Sequence, residues 1–186
     1  GVFVLWFGWF GFNAGSTVSG NDASIAIIMV TTNLAAAAGA LGALSLSYLL
    51  WKRFDASMTL NGVIGGLFAI TAGMANMNPG MAALTGLIGG MVVVGAVLLL
   101  ERVMKVDDPV GAIAAHGFAG AWGTVAVGLF ASSAYGGVDG LFFGGGLAQL
   151  GVQITGVAAA FLFVFPTSFI VFKLIDMTIG MRASDE

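Results

Sequence analysis

The stretch that decides the fold is Asp107-Asp108-Pro109-Val-Gly-Ala-Ile-Ala-Ala-His116-Gly-Phe-Ala-Gly-Ala-Trp-Gly-Thr124. It contains the only histidine among 186 residues, and that histidine lies in an otherwise apolar segment. Asp108 is suited to cap a helix and Pro109 to occupy its first turn, where the missing N–H is not needed. We therefore expect Asp107, Asp108 and Pro109 to mark mainly a helix start, with His116 about 10 Å further along the helix.

The composition around this stretch is that of a membrane protein. The chain is 59% hydrophobic and 8% charged, with a mean hydropathy of +1.03, whereas soluble domains carry about 25% charged residues. The apolar runs are long and continuous, unlike the alternating segments of roughly ten residues in a transmembrane β-barrel. The sequence therefore predicts an all-α membrane protein.

Several function classes find no support in the sequence. The net charge of −3 is small and spread over loops, so we expect no nucleic-acid partner. No residues have the spacing of a metal site, a nucleotide-binding loop or a nucleophile triad. We therefore expect neither an enzyme nor a cofactor or metal. The 30 glycines instead suit close contact between helices in lipid.

Hydrophobic runs and turn signals predict six transmembrane helices. They cover about residues 2–14, 23–51, 57–75, 81–103, 109–131 and 147–175. The first run is shorter than the roughly 20 residues that a spanning helix needs. We therefore expect a truncated first helix, and residues 1–186 to be one partial transmembrane domain whose upstream half lies outside this chain.

Loop charges predict the orientation of these helices. With six spans, the loops at residues 15–22, 76–80 and 132–144 lie on one side and contain no Lys or Arg. The other side holds all six basic residues, which are Lys52, Arg53, Arg102, Lys105, Lys173 and Arg182. Because basic residues are retained on the inner side, we expect a cytoplasmic C-terminus.

His116 is the first candidate functional residue. An ionisable side chain within a membrane is costly, and by default it marks a functional site, such as a passage where an imidazole exchanges hydrogen bonds or relays protons. Ala112, Ala119, Gly120 and Gly123 share its face at ideal helical spacing and would leave room there. A histidine satisfied by a neighbouring helix is the alternative.

Trp9, Phe12 and Ser16 form a second candidate site near the outer end of the first helix. Their spacing of three and four residues puts them on one face if the helix continues. Aromatic faces attract cations, and a hydroxyl oxygen can accept a hydrogen bond from an ammonium. The alternative interpretation is an aromatic belt at the membrane interface.

Three motifs resemble signatures of the ammonium transporter (Amt/Mep/Rh) family. They are Leu5-Trp6-Phe7-Gly8-Trp9-Phe10-Gly11-Phe12-Asn13-Ala14-Gly15-Ser16, Val106-Asp107-Asp108-Pro109 with His116-Gly117-Phe118-Ala119-Gly120-Ala121-Trp122-Gly123-Thr124, and Asp176-Met-Thr178-Ile-Gly180-Met-Arg182. They occur in the family's order and at family-like spacing. Together they extend the resemblance over the whole chain.

The resemblance implies a fold and a function. The fold is an eleven-helix protomer of the plasma membrane, usually in a homotrimer, of which this chain would supply the sixth to eleventh helices. Trp9, Phe12 and Ser16 would belong to the outer ammonium recruitment and gating region. His116 would be one of two histidines lining an apolar pore that ammonia passes, and the other histidine would lie outside this chain.

The resemblance also implies partners and leaves alternatives open. In many family members the cytoplasmic tail contacts nitrogen-regulatory signalling proteins, and only a few residues of that tail are present here. An ammonium sensor or receptor of the same fold is a second hypothesis. A non-conducting membrane fragment with a structural role is a third.

Overall fold

The computed structural model describes residues 1–181, which form seven α-helices, two π-helical segments and one 3-10 turn. In chain order these are α1 Val2–Gly15, α2 Ser24–Trp51, α3 Ala56–Thr71, α4 Pro79–Leu98 with its π-helical continuation Leu99–Met104, the π-helix Ile113–Ala119 that leads into α5 Gly120–Phe130, α6 Ser133–Gly136, the 3-10 turn Leu141–Phe143, and α7 Ala148–Ile179. The described residues contain no strand, so the all-helical prediction is confirmed.

Four apolar helices are long enough to cross a bilayer, counting each π-helix with its continuation. They span Ser24–Trp51, Pro79–Met104, Ile113–Phe130 and Ala148–Ile179. Helices α1 and α3 are apolar but shorter, with 14 and 16 residues. Helix α3 ends at Thr71, not at residue 75 as predicted, because the chain then turns. The N–H of Gly73 donates to the Ile70 carbonyl and that of Asn76 to the Gly73 carbonyl, both over 2.9 Å.

Helices α2, α3 and α4 pack through glycine. Gly39 of α2 lies directly against Gly62 and Gly66 of α3, and Gly90 of α4 lies against the Gly39 carbonyl. A methyl group at any of these positions would overlap neighbouring backbone. Such close approach is how helices associate in lipid, where burying one apolar side chain against another gains little.

Loops without basic residues meet at one end of the bundle. The Thr31 hydroxyl, near the start of α2, donates to the Met74 carbonyl over 2.7 Å. The Ser132 N–H donates to the Asn76 carbonyl over 2.8 Å, which joins the loop after α5 to the turn after α3. Two of the three loops that the charge pattern groups together, at residues 76–80 and 132–144, are therefore in contact. Arg182, one of the six basic residues, lies outside the described residues.

Helix α7 stands apart from the core. It continues through Pro166 beyond the predicted end at residue 175, and none of its residues is buried. Its N-terminal part approaches α5, where Leu150 lies close to Gly128. Most of its surface is apolar and open.

The predicted start of the fifth helix is wrong by several residues. Pro109 lies in a turn, and the helix begins at Ile113. Gly111 has a φ of +69°, a conformation that glycine tolerates and that interrupts a helix. The buried Asp108 carboxylate reaches forward and accepts hydrogen bonds from the N–H groups of Ile113 and Ala114, at 3.2 and 3.1 Å.

This displacement also corrects the predicted surroundings of His116. The histidine lies in the first turn of its helix, not about 10 Å along it. Because a π-helix bonds residue i to i+5, its turn is wider and the ideal helical face shifts. Ala119 and Gly123 are consequently buried, with Gly123 against the Ala69 carbonyl, while His116 is exposed.

Candidate functional site

The His116 imidazole is held by its own helix. Its Nδ1 lies 3.0 Å from the Ala112 carbonyl oxygen. Because a carbonyl oxygen can only accept, Nδ1 must carry the proton of this hydrogen bond. When the ring is neutral, Nε2 then keeps its lone pair and can accept a hydrogen bond from an N–H group.

An aromatic ring lies against one side of this imidazole. The Phe68 ring of α3 is 3.8 Å from the His116 ring, centroid to centroid, at an interplanar angle of 46°. The same Phe68 ring is 4.7 Å from the ring of Trp9, at 88°. Phe68 therefore lies between Trp9 of α1 and His116, and the three rings form a continuous series.

Trp9 is fixed at its polar end as well. Its side chain is buried, and the indole N–H donates to the Thr71 hydroxyl over 3.0 Å. That hydroxyl donates in turn to the Leu67 carbonyl over 2.7 Å. The last turn of α3 thus holds the indole in one orientation.

Phe12 and Ser16 extend the site toward the open end of α1. The exposed Phe12 ring meets the Trp9 ring edge to face, with centroids 5.7 Å apart. The exposed Ser16 hydroxyl donates to the Phe12 carbonyl over 2.9 Å, so its oxygen lone pairs remain available to a donor. The structure therefore brings Trp9, Phe12 and Ser16 together, as their spacing predicted.

Asp107, Asp108 and Pro109 lie on the chain just before the helix of His116. Asp108 is engaged with backbone N–H groups there, and Asp107 is exposed. Within residues 1–181, no group of three or more His, Cys, Asp or Glu side chains could hold a metal ion. The polar groups of the site are therefore isolated side chains surrounded by apolar residues.

An open cavity of about 560 Å³ adjoins the histidine segment, between it, α5 and α7. Its lining is almost entirely apolar and includes Gly117, Gly120, Phe161 and Phe165, with the Thr124 and Ser168 hydroxyls. The cavity lies between glycines of the histidine segment and α5 on one side and phenylalanines of α7 on the other.

Phe68 and Thr71 did not stand out in the sequence. Phe68 follows the glycine-rich run Gly62-Val-Ile-Gly-Gly-Leu67 and is typical of a packing residue. Thr71 is a common helical hydroxyl that bonds its own helix. The one available signal is their spacing of three residues, which places both on the same side of α3.

The fold and the site define a polytopic α-helical membrane protein with an imidazole and an aromatic cluster on an apolar surface. The sequence profile of the Ammonium Transporter Family matches residues 1–186. The chain is 42% identical to "Ammonium transporter Amt2" of Archaeoglobus fulgidus, over 100% of this chain and 41% of that protein. It is 36% identical to "Ammonium transporter" of Bacillus subtilis, over 98% of this chain and 45% of that protein.

Solved structures give the same result. A "Sensor Amt Protein" superimposes with a TM-score of 0.89 at 37% identity, over 98% of this chain and 44% of that one. Mep2 of Candida albicans superimposes with a TM-score of 0.88 at 27% identity, over 99% and 42%. The chain therefore belongs to the Ammonium Transporter Family, and it spans less than half the length of these relatives.

Proposed function

We propose that this chain forms part of a transmembrane pathway for ammonium and ammonia. The observation that carries the proposal is the single exposed imidazole on an apolar surface, joined through Phe68 to a fixed Trp9. Membership in the Ammonium Transporter Family supports the choice of substrate. The second pore histidine is expected on segments outside this chain.

The outer residues recruit the cation. The exposed Phe12 ring attracts ammonium through its negative π cloud, with the buried Trp9 indole packed edge to face against it, and the Ser16 oxygen accepts one of the N–H groups of the ion. The part-buried hydrogen bond to Thr71 keeps the indole in position against the Phe12 ring. These contacts replace part of the hydration shell that the ion loses.

His116 acts after recruitment, as the pore-lining residue. A bare ammonium ion entering an apolar passage meets a large desolvation penalty, whereas neutral ammonia meets a much smaller one. The Nε2 lone pair of His116 accepts an N–H of the passing molecule. Potassium has no proton to leave behind, so this passage rejects it.

The protein lies in the plasma membrane with its C-terminus in the cytoplasm, and three copies assemble. The grouping of all six basic residues supports this orientation. The resemblance to the Amt/Mep/Rh family supports the homotrimer, the absence of enzyme activity and a nitrogen-regulatory signalling partner. Residues 182–186, to which the resemblance assigns the start of that tail, lie outside the described residues.

The test uses the full-length protein in cells that lack their own ammonium transporters. Uptake of ammonium and the accompanying current are measured for Trp9→Ala, His116→Ala and the control Trp51→Ala, which removes a half-buried indole at the far end of α2. We expect the first two variants to lose selective flux and the control to keep it. Selective flux like that of the wild type in both would refute these roles.

An ammonium sensor is the second candidate, because one structural relative is titled a "Sensor Amt Protein". In a sensor, Trp9→Ala would weaken ammonium binding while the wild-type protein itself supports no uptake. Binding measured by calorimetry on the purified full-length protein, beside the uptake assay, separates the two. A fragment with a purely structural role would show neither.

A further inference from the structure

Phe68 joins Trp9 to His116, but the proposed roles give Phe68 no function of its own. It belongs to α3, yet its half-buried ring contacts one aromatic residue of α1 and the imidazole of the π-helical segment. The two contacts differ in geometry, since the Trp9 contact is edge to face and the His116 contact is a close tilted stack. The Phe68 ring therefore contacts both residues to which the proposed function assigns roles.

The imidazole needs such a partner because its own helix holds it at one atom only. The Nδ1 hydrogen bond to Ala112 opposes rotation about the bond that joins the ring to Cβ, but a single hydrogen bond contributes only about 0.5–1.5 kcal/mol. For histidine that torsion is broad, so packing must define it. The Phe68 ring at 3.8 Å closes one side of the imidazole and limits this rotation.

We infer that Phe68 is a positioning residue, which holds His116 so that Nε2 has one orientation and links that orientation to the position of Trp9. The inference rests on the proposed role of His116. Phe68 itself does not bind the recruited cation. Phe68 therefore affects transport only through the position of the imidazole. Its loss should lower the rate of passage more than the affinity for ammonium at the entrance.

The test compares three variants of the full-length protein. Phe68→Leu keeps apolar volume but loses the flat ring, and Phe68→Tyr keeps the ring. Phe130→Leu is the matched control, since Phe130 is also a packed phenylalanine, stacked 5.6 Å from Phe142. We expect Phe68→Leu to lower the maximal uptake rate about tenfold, as misplaced reacting groups do, with the apparent KM nearly unchanged. Phe68→Tyr and Phe130→Leu should keep the wild-type rate.

A second comparison separates positioning from general packing. In a His116→Ala background, Phe68→Leu should cause no further loss of the unselective ammonium flux that remains, because the residue that it positions is gone. A full tenfold loss in that background, or a wild-type rate for Phe68→Leu alone, would overturn the inference. If His116→Ala is itself silent, both this inference and the proposed role of His116 fail. A loss in His116→Ala without any in Phe68→Leu overturns the inference alone.

A spectroscopic measurement keeps the inference testable if Phe68→Leu folds poorly. The ring proton signals of His116, assigned by their loss in His116→Ala, should show the ring-current shift of a closely stacked phenyl group. Phe68→Met should remove that shift, and Phe68→Tyr should retain it. Identical His116 signals in wild type and Phe68→Met would overturn the inference.

Discussion

Trp9 and Thr71 are 62 positions apart in the sequence, and a 3.0 Å hydrogen bond from the indole N–H to the threonine hydroxyl joins them. The hydroxyl also donates to the Leu67 carbonyl, so it is both an acceptor and a donor of hydrogen bonds. The bond ties α1 to the end of α3 at the aromatic cluster.

Replacing Thr71 by valine should therefore strand a buried indole N–H. We expect the free energy of unfolding to fall by about 1–3 kcal/mol, the usual penalty for an unpaired buried donor. Thermal unfolding of the full-length protein in detergent measures this. Thr71→Ser keeps the hydroxyl and should reduce the free energy of unfolding less. Thr124→Val is the control, because the hydroxyl of Thr124 bonds only the Gly120 carbonyl of its own helix. Equal losses in Thr71→Val and Thr124→Val would contradict the prediction.

Glycine contacts between α2 and α4 give a second prediction. Gly90→Ala would drive a methyl group into the Gly39 carbonyl, and we expect a destabilisation of about 1–3 kcal/mol, typical of overpacking. Gly95→Ala on the same helix meets nothing within 4 Å. It should be neutral or stabilise by about 0.4–1 kcal/mol, since alanine restricts the unfolded chain. Thermal melts of the two variants check the difference in sign.

The helix of His116 should depend on Asp108 and not on its neighbour Asp107. Asp108→Ala removes the acceptor of two backbone N–H groups, so we expect a loss of about 0.5–2 kcal/mol, as for other lost caps. Asp107→Ala removes an equal charge from an exposed position. A melting temperature that falls equally in both variants would point to net charge and not to the cap.

Membrane sidedness can be tested with single cysteines, because residues 1–186 contain none. In the full-length protein cleared of any other cysteine, Ser19→Cys should react with an impermeant maleimide added outside intact cells. Arg53→Cys should react only after the cells are opened, because the proposed orientation places the basic loops inside. The reverse pattern would invert the proposed orientation.

The Asp22 carboxylate should titrate below its ordinary range. The hydroxyl and the backbone N–H of Ser24 both donate to it, at 2.6 and 2.8 Å, and these bonds lower the pKa of Asp22 from its ordinary value. Because the pKa of Asp22 is lower in the folded state than in the unfolded state, the ionised carboxylate stabilises the folded state at pH values above the unfolded-state pKa. This contribution is lost as the pH falls through the folded-state pKa. Carbon-13 NMR of the carboxyl group should show the pKa rising in Ser24→Ala, and an unchanged titration would contradict this.

Much of the fold was predictable from residue types along the chain. Long apolar runs between polar turns predicted six transmembrane helices, because partition into lipid depends on local composition. Four helices of the described residues are long and apolar enough to span a bilayer, and two more are apolar but shorter. The end of α3 and the start at Ile113 were not predictable to the residue. They depend on turns at Gly73 and Gly111 and on the reach of the Asp108 side chain, which local preference for a helix does not include.

The candidate site also contains residues that the sequence predicted and residues that only the structure revealed. His116 stood out because a lone imidazole in an apolar stretch is costly, and Trp9, Phe12 and Ser16 stood out by spacing within one helix. Phe68 and Thr71 became visible only when α3 was packed against α1 and the π-helix. Sequence spacing reports neighbours on one helix, whereas contacts between helices depend on how each helix is rotated.

The sequence by itself therefore determined the class of protein, the order of its helices and the identity of its unusual imidazole, since these follow from hydrophobicity, charge and short spacing. Only the tertiary structure decided which side of the imidazole is closed and what holds the Trp9 indole. The π-helical turn at residues 113–119 rotates His116 away from the buried Ala119 and Gly123 and places it against Phe68. The sequence pattern predicted the face of an ideal α-helix, because nothing in the spacing of these residues indicates the wider π-helical turn.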